Sequence, residues 1–540
     1  MSTACDGRRD PSLDSSSHDT AGDKKERGRG LLKRSPFLIA MIGVGLLVFG
    51  ALLTFRASQK YTEQRVVATS GSCRLNTAIV QLSGLPENSQ NGSVVLFHGL
   101  TANQVIMTYL ARAFADEGLR VFMPDSPGHG QTAGPFSPAL AEQCSISFVR
   151  GLMARGMIVP DRTILAGHSM GAAIALRVAA KLRVAGVVAI SPAPMTVAHG
   201  VSPELLLYQD RPPVAPNSLV LVGAFEPAWL MNNAKDLAAT SADGTSTFVL
   251  VRGNSHVSVL FSTRVAMLAQ EWAAKVLNLP HTPGSKSLPF RGNLLGGLLG
   301  LLGIFVLAGP FIKETLGGKP IEERPSVKTV SAARIVAEFA VVSLGVVFLL
   351  HYWIPLRVLH LFEGDYLASF FLLTGLLLLS LHAGEAQRRF RTAPSLLLGA
   401  AVASFILHLL VTGWLQLTIT GAWMTVERWT RFPLFFLASL LFMYALEVVL
   451  GPVVPDLGAR RVLFGLALIV IVWLALTVGI LVLHSGEILL ALMVTYFSLF
   501  FVMCGLGAQL VRRQSGSAMA AALFSAILLT GFCLVIFPVS

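Results

Sequence analysis

Apolar and polar positions alternate in three textures along the chain. Residues 1–36 are rich in Ser, Asp, Gly, Lys and Arg and show no apolar period, which predicts a disordered tail with no core to bury. The tail closes on KKERGRGLLKR and gives way to the apolar run PFLIAMIGVGLLVFGALLT, expected to form a transmembrane anchor over 37–54. About 20 apolar residues suffice to carry a helix through a bilayer, where every backbone polar group must be paired internally. A cleaved signal peptide is the competing reading. Arg56 stands where its small-residue cleavage site would be needed, so a retained anchor is favoured. From residue 60 to 285, short β-branched runs (SVVLFHG, LRVFMPD, RTILAGHS, VAGVVAISP, SLVLVG, STFVLVR) alternate with amphipathic, Ala-rich stretches. That alternation predicts βαβ units. Strands apolar on both faces predict a doubly wound, mostly parallel sheet covered by helices on each side. Between 293 and 538 the texture changes again, to about eight long apolar runs that predict an all-α polytopic helix bundle.

Composition sharpens this division. Of 540 residues 53% are hydrophobic and 13% charged, and the mean hydropathy is +0.65, whereas soluble domains carry about 25% charged residues. The net charge of +12 raises the question of a nucleic-acid partner. Its distribution answers that. Residues 1–59 hold 9 basic and 6 acidic side chains, 60–290 hold 17 and 13, and 291–540 hold 16 and 11, so no segment presents a concentrated basic face. Instead the basic residues sort by loop. With the N-terminus cytoplasmic, the inside loops carry twelve: Lys313, Lys319, Arg324, Lys328, Arg334, Arg388, Arg389, Arg391, Arg460, Arg461, Arg512 and Arg513. The outside loops carry three, Arg357, Arg428 and Arg431. Because Lys and Arg resist translocation, this pattern places the α/β domain outside a cell membrane, expected to be of bacterial type. The five cysteines form no CxxC pair, so neither a metal nor a redox site is indicated. Cys73 and Cys144, the two in the outer domain, are free to pair in an oxidising compartment.

The chemistry concentrates at the ends of the predicted strands. Gly167-His168-Ser169-Met170-Gly171 follows RTILA and opens the helix GAAIALRVAA. In a GxSxG elbow the glycines allow the sharp strand-to-helix turn that lifts a serine hydroxyl above the sheet, and the helix N-terminus behind it suits a developing oxyanion. The strand SVVLF ends in His98-Gly99-Leu100, which can aim the Leu100 N–H, together with that of Met170, at the same place. SLVLVG is followed by Glu226 and STFVLVR by His256, giving the order Ser, acid, His along the chain.

With FHGL at 97–100, PDSPGHG at 124–130, GHSMG at 167–171, GAFEP at 223–227 and GNSH at 253–256, residues 60–285 resemble the α/β-hydrolase family, particularly its monoacylglycerol lipase, lysophospholipase and serine-aminopeptidase-like branch. The resemblance implies Ser169 as nucleophile, His256 as general base and Glu226 as orienting acid, where Asp is usual. It implies no cofactor. The expected activity is cleavage of a carboxylic ester, of a lipid or another acylated molecule, at a membrane. Acyl transfer on the same residues, a peptidase of the aminopeptidase-like branch, and a transporter or assembly factor using the domain for binding alone are the alternatives.

Other positions compete for attention. Asp210, Asp236 and Asp243 rival Glu226, while His98, His129 and His168 suit structural or pocket-lining places and Asp125 a turn. The family's lid corresponds to 191–217, short and Pro-rich here, with His199 and Tyr208 as candidate pocket residues and VSPELLLY as a candidate point of acyl-chain entry. Glu338, His351, His408 and Glu447 fall in or near predicted membrane helices, where ionisable groups are costly, and TGAWMTVERWTRF reads as an interfacial loop.

Overall fold

The computed structural model describes residues 36–85, 91–201, 203, 206–208, 210, 217–240, 245–279, 288–317, 330–354, 356–455, 457–487, 490 and 494–540. The N-terminal tail, Asp243, Lys319, Arg324, Lys328 and part of the 191–217 segment lie outside the described residues.

Helix α1 (Pro36–Ser58) leads into a sheet of eight strands: β1 (Tyr61–Ser70), β2 (Cys73–Leu82), β3 (Ser93–Phe97), β4 (Arg120–Pro124), β5 (Thr163–His168), β6 (Gly186–Ile190), β7 (Ser218–Gly223) and β8 (Thr247–Val251). Their order is β1-β2-β4-β3-β5-β6-β7-β8. The pairs β1/β2 and β2/β4 are antiparallel and every other pair is parallel. Helices α2 (Thr108–Asp116), α3 (Pro138–Ala154), α4 (Met170–Ala179), α5 (Ala228–Ala239) and α6 (Thr263–Val276) connect them. The period-2 geometry of a strand sends alternate side chains to opposite faces. Thus Val94 and Leu96 of β3 join Phe114, Val265 and Ala269 in one core, and Val95 and Phe97 join Phe148, Ile174 and Leu237 in the other. This is the α/β-hydrolase fold. The hairpin β1/β2 is an addition to the sequence-derived sheet, because YTEQRVVATS is largely exposed and lacks the apolar run of the central strands. Cys73, at the start of β2, is disulfide-bonded to Cys144 of α3, with Cα atoms 5.5 Å apart.

The rest of the chain is helical: α7 (Gly292–Thr315), α8 (Ala332–Tyr352), α9 (Gly364–Leu381), the short α10 (Ala383–Phe390), α11 (Pro394–Thr418), the single turn α12 (Val426–Trp429), α13 (Phe432–Val453), α14 (Ala459–Val482), α15 (Val494–Ser515) and α16 (Ala518–Ile536). Among the described residues eight helices are long and apolar enough to cross a membrane: α1, α7, α8, α9, α11, α13, α14 and α16. The run at 486–511 becomes α15, shifted toward the C-terminus. Helix α1 lies along α7 at glycine-mediated distance, so that a Cβ on Gly296 would sit 2.3 Å from the Gly50 carbonyl oxygen. Small residues at such contacts let two membrane helices approach closely. Large apolar side chains such as Val341, Leu398 and Leu302 point outward from the bundle.

One end of the bundle is bonded to the sheet domain. Asn103 Nδ2 donates to Thr420 Oγ1 and to the Gly421 carbonyl, and its Oδ1 accepts from the Gly421 N–H at 2.7 Å. Arg428, buried, donates to the Gly128 and Gly130 carbonyls, both at 2.9 Å. Val539, three residues beyond α16, accepts from the Phe136 N–H and donates to the Gly128 carbonyl. Lys313, Arg334, Arg388, Arg389, Arg460, Arg461, Arg512 and Arg513 stand at the opposite helix ends. There Glu447 pairs with Arg461 at 2.9 Å and with Arg512. Glu338 pairs with Arg334 of its own helix and with His382, so these two acids link neighbouring elements of the helical region. His351 stacks edge-on against Tyr352.

Candidate active site

The elbow at the end of β5 is tightly constrained. Ser169 takes φ 53° and ψ −117°, in the left-handed half of backbone space that a non-glycine residue rarely occupies. Its N–H donates to the Ile190 carbonyl of β6 at 2.9 Å. A Cβ on Gly167 would lie 2.2 Å from the Gly171 carbonyl oxygen, and one on Gly171 would lie 2.2 Å from that of Phe97, so both positions exclude any side chain. The turn therefore throws the Ser169 hydroxyl clear of the sheet at the N-terminus of α4. Among the described residues neither the Leu100 N–H nor the Met170 N–H donates a hydrogen bond, leaving two donors beside the serine.

His256, after β8, reaches back so that its Nε2 is 3.0 Å from Ser169 Oγ. Its Nδ1 lies 2.9 Å from Glu226 Oε2. The Glu226 side chain is fully buried, and its Oε1 accepts from Ser191 Oγ at 2.5 Å and from the Gly223 N–H at 2.9 Å. The structure thus brings together Ser169, His256 and Glu226. It separates the rival acids, because Asp210 pairs with Arg177 and Asp236 with His199. Ser191 was not singled out in the sequence. Its position right after β6, at the same level as the elbow, is the signal that could have found it.

The neighbouring histidines have different work. His168 Nε2 donates to the His256 carbonyl at 2.7 Å, fixing the loop that carries His256, and burial pushes its imidazole down to about 3. His98 donates from Nδ1 to the Gly99 carbonyl and accepts the Ser126 N–H on Nε2, a neutral tautomer favoured further by burial. His129 is also held well below the usual histidine range by burial. Asp125 accepts from the Gln104 N–H and side chain and from the Gln131 N–H, and burial raises its carboxyl above the ordinary range. It organises the turn at 124–130 and touches neither Ser169 nor His256. Tyr208 and His199 are not pocket residues. The Tyr208 hydroxyl donates to the Pro138 carbonyl under the Arg177 guanidinium, and His199 is drawn to Asp236. Leu206 and Leu207 of the same segment do line the cavity.

Residues 94–288 match the family model described as the Alpha/beta hydrolase family. The chain is 34% identical over 98 residues to Esterase YjfP of Escherichia coli, a stretch covering 16% of this chain and 39% of that protein. Among solved structures it is similar to an esterase/lipase from an uncultured bacterium, at 17% identity and a TM-score of 0.32, over 43% of this chain and 91% of that one. An alpha-beta serine hydrolase homologue from Coxiella burnetii matches at 19% identity and a TM-score of 0.31, over 40% of this chain and 97% of that one.

Ser169 and His256 open onto a cavity of about 1300 Å³. Leu100, Leu206, Leu207 and Trp229 line it on the sheet-domain side, and its walls continue along α7, α11, α15 and α16. His408 of α11 is part of that wall.

Proposed function

We propose that the chain is a membrane-bound serine hydrolase that cleaves a carboxylic ester of a lipid or similarly acylated molecule. The carrying observation is the hydrogen-bonded sequence Ser169–His256–Glu226 facing the cavity. A serine hydroxyl is a weak nucleophile at neutral pH, so His256 Nε2 takes its proton as Oγ attacks the ester carbonyl. Glu226 keeps the imidazole proton on Nδ1 and stabilises the imidazolium. The carbonyl oxygen, now negative, is held by the Leu100 and Met170 N–H groups. The C–O bond then breaks, His256 returns the proton to the leaving alkoxide, and water releases the acyl group by the same steps in reverse. The esterase homologue supports the reaction class, and the apolar walls support a lipid-like substrate. Eight membrane-length helices, with basic residues gathered at the helix ends away from the sheet domain, support an extracytoplasmic sheet domain through the positive-inside rule.

The test is hydrolysis of p-nitrophenyl esters by purified full-length protein and by Ser169→Ala, with fluorophosphonate labelling of both. Loss of turnover and of label in the variant supports the proposal. Wild-type turnover in the variant refutes it.

A further inference from the structure

We infer that the helical bundle is itself the acyl-binding site, holding the hydrocarbon chain of the substrate along α7 while the ester carbonyl sits at Ser169; this rests on the hydrolase reading above. The cavity that begins at Ser169 and His256 does not stop at the sheet domain. Its lining on α7 runs from Leu294 through Leu301 and Ala308 to Ile312. At a rise of about 1.5 Å per residue those eighteen steps cover about 27 Å, close to the roughly 30 Å hydrocarbon thickness of a bilayer. Val411 of α11 and Met503 of α15 belong to the same cavity wall. Among the described lining residues Asp, Glu, Lys and Arg occur only as Glu363, in the segment leading into α9, and as Arg513, at the far end of α15. Between them runs a wall dominated by Leu, Phe, Val, Ile and Ala.

Three features select the occupant. The cavity starts at the reacting serine, so what fills it is continuous with the acyl group. Its 1300 Å³ exceeds the range of small-molecule sites, about 300–1,000 Å³, and its long axis follows membrane helices. A long, uncharged, flexible chain satisfies all three, whereas a small water-soluble ester reaches the serine but fills neither the volume nor the length. The α7 wall, which lines the cavity from Leu294 to Ile312, is the element that can measure chain length.

The experiment uses full-length protein in nanodiscs and p-nitrophenyl butyrate, octanoate and palmitate. Leu301→Trp intrudes part-way down the cavity and Ala308→Trp deeper. Leu302→Trp, at a position that is 51% exposed and points away from the cavity, is the control. Fluorophosphonate labelling in each sample reports an intact serine site. Leu301→Trp is expected to lower the palmitate-to-butyrate turnover ratio by roughly tenfold or more, the scale on which an apolar pocket discriminates. Ala308→Trp should lower it less and spare octanoate, and Leu302→Trp should leave the ratio unchanged. Unchanged ratios in both cavity variants, with turnover still abolished by Ser169→Ala, overturn this inference and leave the hydrolase reading standing. Turnover that survives Ser169→Ala overturns both.

Discussion

Replacing Glu226 with Gln is the most informative single change, because it preserves shape and hydrogen-bond count while inverting one proton. The carboxylate accepts three hydrogen bonds, from Ser191 Oγ and the Gly223 N–H on Oε1 and from His256 Nδ1 on Oε2. A glutamine there keeps its carbonyl oxygen toward Ser191 and Gly223, since both donate. Its NH₂ group then faces His256 and can be satisfied only if Nδ1 accepts. The imidazole proton moves to Nε2, the atom 3.0 Å from Ser169 Oγ that must take the serine proton. The base is then in the wrong tautomer, an effect of about 10⁴-fold on turnover in serine proteases, or about 5 kcal/mol in the barrier. Stability should change little, because every buried polar atom keeps a partner. The assay is ester hydrolysis alongside thermal unfolding of the same preparation. Ser191→Ala, which removes one of three donors to the carboxylate, should cost roughly tenfold, in line with the loss of one hydrogen bond to a charged group. If Glu226→Gln stays within about tenfold of wild type at unchanged stability, Glu226 is not the orienting acid.

Three further outcomes are expected. Reducing the Cys73–Cys144 disulfide, which spans 71 residues, should lower stability by about 4 kcal/mol on the loop-entropy relation; unfolding with and without prior reduction and alkylation checks it. His168 is held neutral, with its imidazole pushed from 6.5 down to about 3. The unfolded chain therefore binds the extra proton, so the stability it contributes is complete above about pH 6.5 and is lost as pH falls toward 3. His168→Asn should flatten the acid limb of a stability-versus-pH curve by one proton, and an identical slope in both proteins would contradict the assignment. Arg428→Ala removes two hydrogen bonds from a buried guanidinium to the turn at 128–130, at about 1.5–3 kcal/mol each. Lower thermal stability and faster proteolysis between the sheet domain and the bundle should follow, and an unchanged melt would show that the contact does not hold the two together.

How legible all this is from sequence depends on how local each cause is. The central strands announce themselves because burial on both faces makes them continuous apolar runs, as in SVVLF and SLVLVG. The elbow does so because two glycines must flank Ser169 for the backbone to close. Strands β1 and β2 do not, since an edge hairpin with a solvated face mixes polar with apolar residues and its partner is set by tertiary pairing. The same holds for Ser191, whose hydroxyl matters only because β6 and β7 are neighbours. Tyr208 and His199 misled for the converse reason. They lie in the right segment, but Arg177 and Asp236 draw them away from the cavity. The cavity itself was invisible, because a wall assembled from four helices leaves no pattern in any one of them.

One helix of membrane length, such as α1, would be enough to anchor a sheet domain at a membrane. The remaining helices therefore need a reason, and the contacts at their domain-side ends offer one. Asn103 and Arg428 tie the loops after β3 and β4, which flank the serine, to the segment between α11 and α13, and Val539 ties the same turn to the end of α16. Two of those elements, α11 and α16, are walls of the cavity. A domain that was only tethered would tumble relative to its anchor, and its serine would meet the cavity mouth by chance. Multiply bonded contacts between the loops that flank the serine and the ends of cavity-lining helices instead hold Ser169 against the cavity. Positioning of that kind is worth far more to a reaction than proximity alone. It also explains why the interface is polar and specific in a molecule whose other contacts are so largely apolar: an apolar patch could slide, whereas Arg428 on two carbonyls cannot.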